Sequence, residues 1–318
     1  MKGEPKHEGQ IDVATDIQLM DRFEGCLLGA ALGDAVGAPY EGGLLGGLAW
    51  AIVGFGKGDL LRWTDDTQMG MGLAESLVEC RGLDADHLAR RWADRMELTR
   101  GYGPGTSKLL RRIKAGEDWR VANKSVFPDG SFGNGAAMRA APIGLFYHRD
   151  AEQLRRAAET SSSITHAHPL GIEGGLLIAR AVSLALDAAL PAEEFLDTLH
   201  SFCSSEEYRG RLVLVKNSLG GDPDPAWARR SLGCTIRAHE SAVTAVYVFC
   251  HFRDHFKRMM EFIIKMGGDT DTIGAMAGGL LGAHQGRSAL PPELLDRLET
   301  RDSIASLARA LHDCPDRP

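Results

Sequence analysis

Four glycines recur at every fourth residue in the stretch "GCLLGAALGDAVG", which runs from Gly25 to Gly37. On an α-helix this spacing places all four on one face. Because glycine has no side chain, such a stripe lets the backbone of another element approach closely. A membrane-embedded GxxxG dimer is the alternative, but Glu24 and Asp34 in the same helix argue against it. The stretch therefore predicts a helix that packs tightly inside a globular protein.

Helical periodicity also dominates the rest of the chain, and the strict alternation typical of strands is scarce. N-cap residues such as Asp66 and Asp84 precede apolar stretches. We therefore predict a compact, orthogonal, multi-helix all-α domain over residues 16–315, after a flexible segment at 1–15. Residues 204–227 are expected to be a surface excursion. The predicted helices are Ile17–Ala38, Met69–Cys80, Ala85–Leu98, Gly135–Tyr147, Leu170–Ala189 and Ala238–Arg253.

The composition excludes several classes of partner. A net charge of −7 over 318 residues offers no general attraction to nucleic acid or to an anionic membrane. The longest uncharged run is shorter than the ~20 residues that span a bilayer. The six cysteines show no CxxC pair and no zinc spacing, which indicates reduced thiols. We expect a cytoplasmic protein without nucleic-acid or membrane partners, with a monomer slightly favoured over an oligomer.

Two clusters of oxygen-bearing side chains are the strongest chemical signal. Thr64–Thr67 reads "TDDT" and Asp269–Thr272 reads "DTDT", and each comes just before an apolar helical stretch. Carboxylate and hydroxyl oxygens are ligands for Mg²⁺, Ca²⁺ or Mn²⁺. Four neighbouring aspartates would repel one another, and divalent cations relieve that repulsion. The alternative is helix capping, but one cap needs only one such residue. The clusters therefore predict two halves of one site for two cations.

Further candidate residues lie in loops. Glu41 follows Pro39, where the first helix should end, and by itself it reads as a surface acid. The runs "RGYGPGT" (100–106) and "GSFGNG" (130–135) each place glycines and an aromatic residue ahead of a helix. Backbone amides at a helix N-terminus bind phosphate, and Phe132 could stack on a base. A plain glycine-rich turn with Phe132 in the core is an equally open alternative.

Taken in order, these segments resemble the ADP-ribosylglycohydrolase family, which includes the dinitrogenase-reductase-activating glycohydrolases and the ADP-ribosylarginine and ADP-ribosylserine hydrolases. The resemblance spans residues 22–286. It implies a compact all-α fold with a binuclear Mg²⁺ centre at the bottom of an ADP-ribose cleft. The matching segments are "GCLLGAALGDAVGAPYE", "WTDDTQM", "RGYGPGT", "GSFGNGAAMRAAPIG", "THAHPLGI" and "GGDTDTIGAMAGGLLGA".

The resemblance also implies roles for individual residues. Two Mg²⁺ ions, or Mn²⁺ in their place, would be held by Thr64, Asp65, Asp66, Asp269, Asp271 and Thr272. Acid and base catalysis would fall to Glu41, Asp65 and Asp66. Substrate-binding positions would be Gly101, Gly103, Gly105, Ser131, Phe132, Gly133, Asn134 and His166. Phe132 departs from the tyrosine of many members, and the segment between Glu41 and Trp63 is unusually rich in glycine.

The function expected from the resemblance is hydrolysis of the bond between ribose C1″ and a modified protein side chain. Arginine-linked ADP-ribose is the favoured substrate, so the expected partners are ADP-ribose and ADP-ribosylated protein. Three alternatives stay open: a serine-linkage hydrolase, a non-catalytic ADP-ribose-binding or crystallin-like member, and a metal-assisted hydrolase of another nucleotide. The complete set of ligand residues argues against a non-catalytic role.

Overall fold

The structure, a computed structural model, describes residues 13–42, 50 and 59–314. These residues contain sixteen α-helices and no β-strand, which confirms the predicted all-α fold. The first eight helices are α1 Val13–Gly37, α2 Asp65–Cys80, α3 Ala85–Arg95, α4 Pro104–Lys114, α5 Trp119–Val126, α6 Ala141–Phe146, α7 Ala151–Ser163 and α8 Pro169–Ala185. The others are α9 Ala192–Phe202, α10 Glu206–Ser218, α11 Pro225–Ser231, α12 Ala238–Phe252, α13 Phe256–Met266, α14 Thr270–Gln285, α15 Pro292–Leu295 and α16 Arg301–His312.

The glycine stripe of α1 packs directly on the backbone of α14, and the two helices run antiparallel. A Cβ atom added at Gly33 would lie 2.0 Å from the carbonyl oxygen of Gly274. One added at Gly29 would lie 2.3 Å from the carbonyl oxygen of Gly278. No side chain fits between such surfaces, and C–H···O contacts between backbones stabilise this kind of helix pair. The predicted close approach is therefore confirmed.

This antiparallel packing fixes where the site lies. The C-terminal end of α1 meets the N-terminal end of α14, where the Thr270 hydroxyl donates to the carbonyl of Gly37 over 2.9 Å. The helices α12 and α14 are buried along almost their whole length and pack on each other and on α8. The acidic N-terminus of α14 thus sits at the end of a buried helix, beside the chain that leaves α1.

Several element boundaries differ from the predicted ones. The helix α2 begins at Asp65, because the Thr64 hydroxyl accepts from the backbone N–H of Asp66 and caps it. The predicted helix at 135–147 is wrong in its first half, where the chain forms a 3₁₀ turn at Asn134–Ala136 and then α6. Pro142 in the first turn of α6 explains this start, since proline disrupts the turn that precedes it.

The prediction of a surface excursion at 204–227 is correct for most of these residues, which are exposed or half-buried, but it missed their helical structure. This segment contains α10 and the start of α11, and Tyr208, Leu212 and Val215 of α10 are buried. Their spacing by four and three residues is a helical stripe that the polar neighbours obscure. Most of the predicted flexible segment 1–15 lies outside the described residues, and α1 begins at Val13. Within the residues that the structure describes, we find no helix with the length and apolar character needed to cross a membrane.

Candidate active site

Asp34 anchors the first oxygen cluster. Its carboxylate lies fully buried on α1 and accepts from the backbone N–H of Thr64 at 3.0 Å and from that of Thr67 at 3.1 Å. It also accepts from the Thr67 hydroxyl at 2.5 Å. Burial raises the pKa of Asp34 to about 6, and these hydrogen bonds oppose the rise. Asp34 therefore holds the turn that carries Asp65 and Asp66. Sequence patterns gave Asp34 no role, since its role depends on burial.

Trp63, which directly precedes this turn, is also held in place by side-chain contacts. The Arg100 guanidinium lies 3.6 Å from the centroid of the Trp63 ring and donates to the Trp63 carbonyl at 3.0 Å. It also donates to both oxygens of Glu299, at 2.7 and 3.2 Å. The indole N–H donates to the hydroxyl of Thr300 at 3.2 Å. Bidentate arginine–carboxylate bonds have strict geometry, so they fix the chain that leads into the cluster.

The two oxygen clusters meet at Asp66 and Thr272. The carboxylate of Asp66 is buried and lies beside the side chain of Thr272. Burial raises the pKa of Asp66 well above its usual value, and the charges of Asp34, Asp65 and Asp269 raise it further. Its Oδ2 atom is buried and has no hydrogen-bond partner among the described residues. An unpaired buried carboxylate oxygen is costly, so this arrangement fits a bound cation.

Glu41, Asp269 and Asp271 form the tightest acidic group. Each offers one carboxylate oxygen, and these atoms lie within 4.8 Å of one another. Burial raises the pKa of Asp271 well above its usual value, with further contributions from Asp269, Asp66 and Glu41. Loss of solvation also raises the pKa of Glu41, although its residue surface is exposed at the exit of α1. Three converging carboxylates suit a hard divalent cation.

Asp65 and Thr64 adjoin this group without belonging to it. Burial raises the pKa of Asp65 to about 8, and the charges of Asp34, Glu41 and Asp269 add to the effect. Thr64 caps α2, so the helix-capping interpretation is correct for Thr64. Its hydroxyl oxygen keeps a second lone pair, so capping does not prevent it from binding a cation.

Asp269 is held by contacts from two loops. Its backbone N–H donates to the carbonyl of Cys234 at 2.9 Å. Its Oδ2 accepts from the side-chain amide of Asn134 at 2.6 Å, and the same amide donates to Ser241 at 2.9 Å. Asn134 belongs to the glycine-rich loop at 130–135. The structure therefore brings that loop against the acidic cluster.

This glycine-rich loop is itself pinned by a short stretch before α12. Asn134 N–H donates to the carbonyl of Ile236 at 2.9 Å, and Ala238 N–H donates to that of Phe132 at 3.0 Å. The Phe132 ring is 45% exposed and meets His168 edge-on, so the alternative of a core Phe132 is wrong. Ile236 is 66% exposed beside this loop. No local sequence motif marks Ile236.

Ser131 and His166 complete this side of the site. The Ser131 hydroxyl accepts from Gly133 N–H at 3.3 Å. The His166 ring is buried against the loop, and a Cβ atom added at Gly135 would lie 2.6 Å from it. Burial lowers the pKa of His166 to about 3, and the positive charge of Arg139 lowers it further. His166 is therefore neutral at physiological pH.

The three glycines of the 100–106 loop have different surroundings. Gly101 adopts φ +93°, which favours glycine, and a Cβ atom there would lie 3.6 Å from Asp65 Oδ1. Gly103 precedes α4 and has free space around it. At Gly105, a Cβ atom would lie 2.3 Å from the Phe127 ring. Gly101 and Gly103 thus lie where a ligand could approach, whereas Gly105 is needed for packing.

Residues 15–317 match the family model described as ADP-ribosylglycohydrolase. The chain belongs to the ADP-ribosylglycohydrolase family. This confirms the predicted family and supports a hydrolase activity.

Relatives in this family align with almost the whole length of the chain. It is 32% identical to ADP-ribosylhydrolase ARH3 of Mus musculus, over 92% of this chain and 91% of that protein. It is 31% identical to ADP-ribosylhydrolase ARH3 of Homo sapiens, over 92% and 93% of the two chains. A solved structure titled "ADP-ribosylglycohydrolase-related protein complex" matches with a TM-score of 0.69 and 29% identity, covering 93% of this chain and 98% of that one.

Proposed function

We propose that the chain is a metal-dependent hydrolase that releases ADP-ribose from modified protein side chains by cleaving the glycosidic bond at ribose C1″. The observation that carries this proposal is the bond from Asn134 to Asp269. It joins a loop suited to a nucleotide to a cluster of carboxylates suited to metal ions. A site with only one of these parts would bind a nucleotide or a cation without bringing them together.

We assign two Mg²⁺ ions, with Mn²⁺ as a substitute, to the acidic side of the cleft. The unpaired Oδ2 of Asp66 and the grouped oxygens of Glu41, Asp269 and Asp271 support this assignment. When bound, such ions supply charge that orients ribose hydroxyls and stabilises oxygen anions. The residues assigned to hold them are Thr64, Asp65, Asp66, Asp269, Asp271 and Thr272.

The other side of the cleft is assigned to the nucleotide. The exposed ring of Phe132 offers a face for adenine, and base–aromatic stacking is worth about 1–3 kcal/mol. Backbone amides at Gly101, Gly103 and Gly133 and the hydroxyl of Ser131 are assigned to the phosphates. Further assigned contacts come from Asn134 and His166, whereas Gly105 packs against Phe127.

The carboxylates of the cleft suit the proton transfers of glycoside cleavage. Such cleavage passes through an oxocarbenium-like state, in which water attacks the anomeric carbon while the leaving group departs. A base must take a proton from the water, and an acid assists the leaving group. We assign Asp65 or Asp66 to the water and Glu41, exposed at the rim, to the leaving group.

We favour arginine-linked ADP-ribose as the substrate. A guanidinium departs as a stable cation, so its departure needs little help from an acid. A serine alkoxide is a poor leaving group unless an acid protonates it. We further propose that residues 16–315 form one domain, as the pairing of α1 with α14 and α16 supports, and that the protein is cytoplasmic.

The test is release of ADP-ribose from matched arginine- and serine-linked substrates, with Mg²⁺ and with excess chelator. We expect Mg²⁺-dependent release that is faster from arginine. Glu41→Gln should lower turnover by roughly 100-fold or more, within the range of general acid–base catalysis. Asp222→Asn, which removes an exposed acid elsewhere, should have no effect. ADP-ribose binding without turnover on any linkage would contradict catalysis and support a binding role.

A further inference from the structure

Arg139 is a buried cation without a carboxylate partner among the described residues. Its side chain is 1% exposed, and its guanidinium lies 3.9 Å from the centroid of the Trp92 ring. Its Nη2 atom donates to the Thr165 hydroxyl at 2.7 Å and to the carbonyl of Ser161 at 3.4 Å. Burying a charge is costly, so the placement of Arg139 beside Thr165 requires an explanation.

Thr165 connects Arg139 to His166. Its hydroxyl oxygen lies 2.7 Å from His166 Nδ1. Since an arginine can only donate hydrogen bonds, Thr165 Oγ1 accepts from Arg139. The single hydroxyl proton of Thr165 then needs an acceptor, and within the described residues its one available acceptor is His166 Nδ1. The hydrogen bonds therefore run from Arg139 to Thr165 to His166.

This direction determines the tautomer of His166. A neutral imidazole has one donor nitrogen and one acceptor nitrogen. Because Nδ1 accepts from Thr165, the ring proton resides on Nε2. That atom lies 2.9 Å from where a Cβ atom of Gly135 would be and 3.4 Å from that of Gly133. It has no partner in the part of the chain that the structure describes, so its proton is available to a ligand on the loop.

We propose that Arg139 is a positioning residue: acting through Thr165, it holds His166 as the Nε2–H tautomer, so that the ring donates a hydrogen bond to an acceptor atom of the bound nucleotide. The ligand part of this inference rests on the proposed function. With the opposite tautomer, Nε2 would be an acceptor facing an acceptor-rich ligand, and the contact would become repulsive. Lysine cannot replace Arg139, since it lacks the planar group that stacks on Trp92.

The first test reads the tautomer directly by ¹⁵N NMR of histidine-labelled, metal-free protein, assigned with a His166→Gln variant. We expect the Nε2–H form of His166 in the wild type and in Thr165→Ser, which keeps the hydroxyl. Thr165→Val, which removes it, should yield a mixture of tautomers. Finding the Nδ1–H form or a charged ring in the wild type would overturn the proposal, even if Thr165→Val did not fold.

The second test measures ADP-ribose affinity by calorimetry. Thr165→Val should raise the Kd by about fivefold to tenfold, as expected for loss of one hydrogen bond, and Thr165→Ser should stay near the wild type. Ser76→Ala is the matched control, because Ser76 is a buried hydroxyl that bonds to Nδ1 of His87 at 2.8 Å, outside the site. It should leave the Kd unchanged. An unaltered tautomer or Kd in folded Thr165→Val would overturn the proposal. Failure of the wild type to bind ADP-ribose would instead contradict the proposed function, and the tautomer would still test the direction of the hydrogen bonds from Arg139 through Thr165 to His166.

Discussion

The side-chain amide of Asn134 donates to Oδ2 of Asp269 over 2.6 Å, in a buried bond that joins the glycine-rich loop to the acidic cluster. Ser241 receives the second donated bond of that amide. Cys234 fixes the backbone of Asp269 from the other side. The positions of a ligand on the loop and of a cation on Asp269 are therefore coupled through one residue.

Asn134→Ala should impair metal binding and nucleotide binding together. It leaves a buried oxygen of Asp269 unpaired, which costs about 1–3 kcal/mol, and it frees the loop to move. We expect kcat/KM to fall by about 10-fold or more, in line with the cost of misplacing a substrate. Steady-state kinetics at several Mg²⁺ concentrations would measure this. Ser241→Ala, which keeps the bond to Asp269, should have a much smaller effect, and equal losses in the two variants would contradict the coupling.

Gly33→Ala should destabilise the fold strongly. Its Cβ would lie 2.0 Å from the carbonyl oxygen of Gly274, so the two helices would have to separate. Overpacking of this kind costs about 1–3 kcal/mol or more. Gly70→Ala is the matched control, because its Cβ would meet no atom within 4 Å inside α2. The higher helix propensity of alanine should raise the free energy of unfolding of this variant by about 0.5–1 kcal/mol. Thermal unfolding of both variants decides this, and similar melting temperatures would be incompatible with tight packing.

Phe132→Ala should weaken ADP-ribose binding by about 1–3 kcal/mol without loss of stability, if the ring stacks on adenine. The exposed ring has little packing to lose. Val121→Ala removes another exposed apolar side chain and serves as the control. Calorimetric titration with ADP-ribose checks the prediction. Unchanged affinity in a folded Phe132→Ala variant would rule out stacking.

The sequence identified one half of the main helix pair but not its partner. The glycines of α1 predicted a close approach, and "GAMAGGLLG" in α14 carries glycines at matching positions. Their register, Gly33 on Gly274 and Gly29 on Gly278, emerges only when both helices are placed in three dimensions. Local patterns record a face of a helix, whereas pairing is a long-range property.

The same limit applies to the site. The oxygen clusters were visible because each is a dense local run of ligand side chains. Asp34, Asn134 as a partner of Asp269, and Ile236 act through contacts between distant segments. Each of these contacts depends on how helices pack, so no spacing rule reveals it. The helix predicted at 135–147 failed for a local reason, since Pro142 starts a new helix.

The stability of the metal-free protein should fall as the pH rises from about 6.5 to about 8.5. The pKa of Asp65 is raised to about 8 by burial and by the charge of Asp34. At pH values above the pKa that Asp65 has in the unfolded chain, the native state therefore binds more protons than the unfolded state. The free energy of unfolding then decreases as the pH rises. Below about pH 6.5 the lowered pKa of His166 has the opposite effect, because the unfolded state then binds the extra proton and stability increases with rising pH. This effect sets the lower end of the pH range.

Thermal unfolding in the presence of a chelator, at several pH values in this range, measures how steeply stability falls with pH. Saturating Mg²⁺ should flatten the slope, because a bound cation relieves the repulsion. Asp65→Asn should make the slope shallower without metal, and the raised pKa values of Asp66 and Asp271 should maintain the rest of it. Stability of the metal-free wild type that increases over the same range would show that the carboxylates are not held together as the structure places them.

Asp271→Asn separates metal binding from helix capping. Asp271 lies in the first turn of α14, where its Oδ1 accepts from Thr272 N–H at 2.9 Å. Asparagine keeps this acceptor and the side-chain volume while it removes one charge from the cluster. If Asp271 acts only at the helix terminus, the variant should keep nearly the turnover of the wild type. If it binds both ions, turnover should fall by more than about 100-fold, beyond the usual loss for residues that only support a ligand.

Metal content measured beside turnover and thermal stability distinguishes these outcomes. Asp271→Asn should lose metal and the melting-temperature gain that Mg²⁺ gives the wild type, yet keep its metal-free stability, because repulsion with Asp269, Asp66 and Glu41 decreases. Asp269→Asn should be less damaging, since Asp271 is the carboxylate that we expect to contact both ions. Asp302→Asn, in the exposed first turn of α16, is the matched control for a helix-terminal aspartate and should change none of these quantities. Wild-type turnover that persists in excess chelator would end the metal hypothesis.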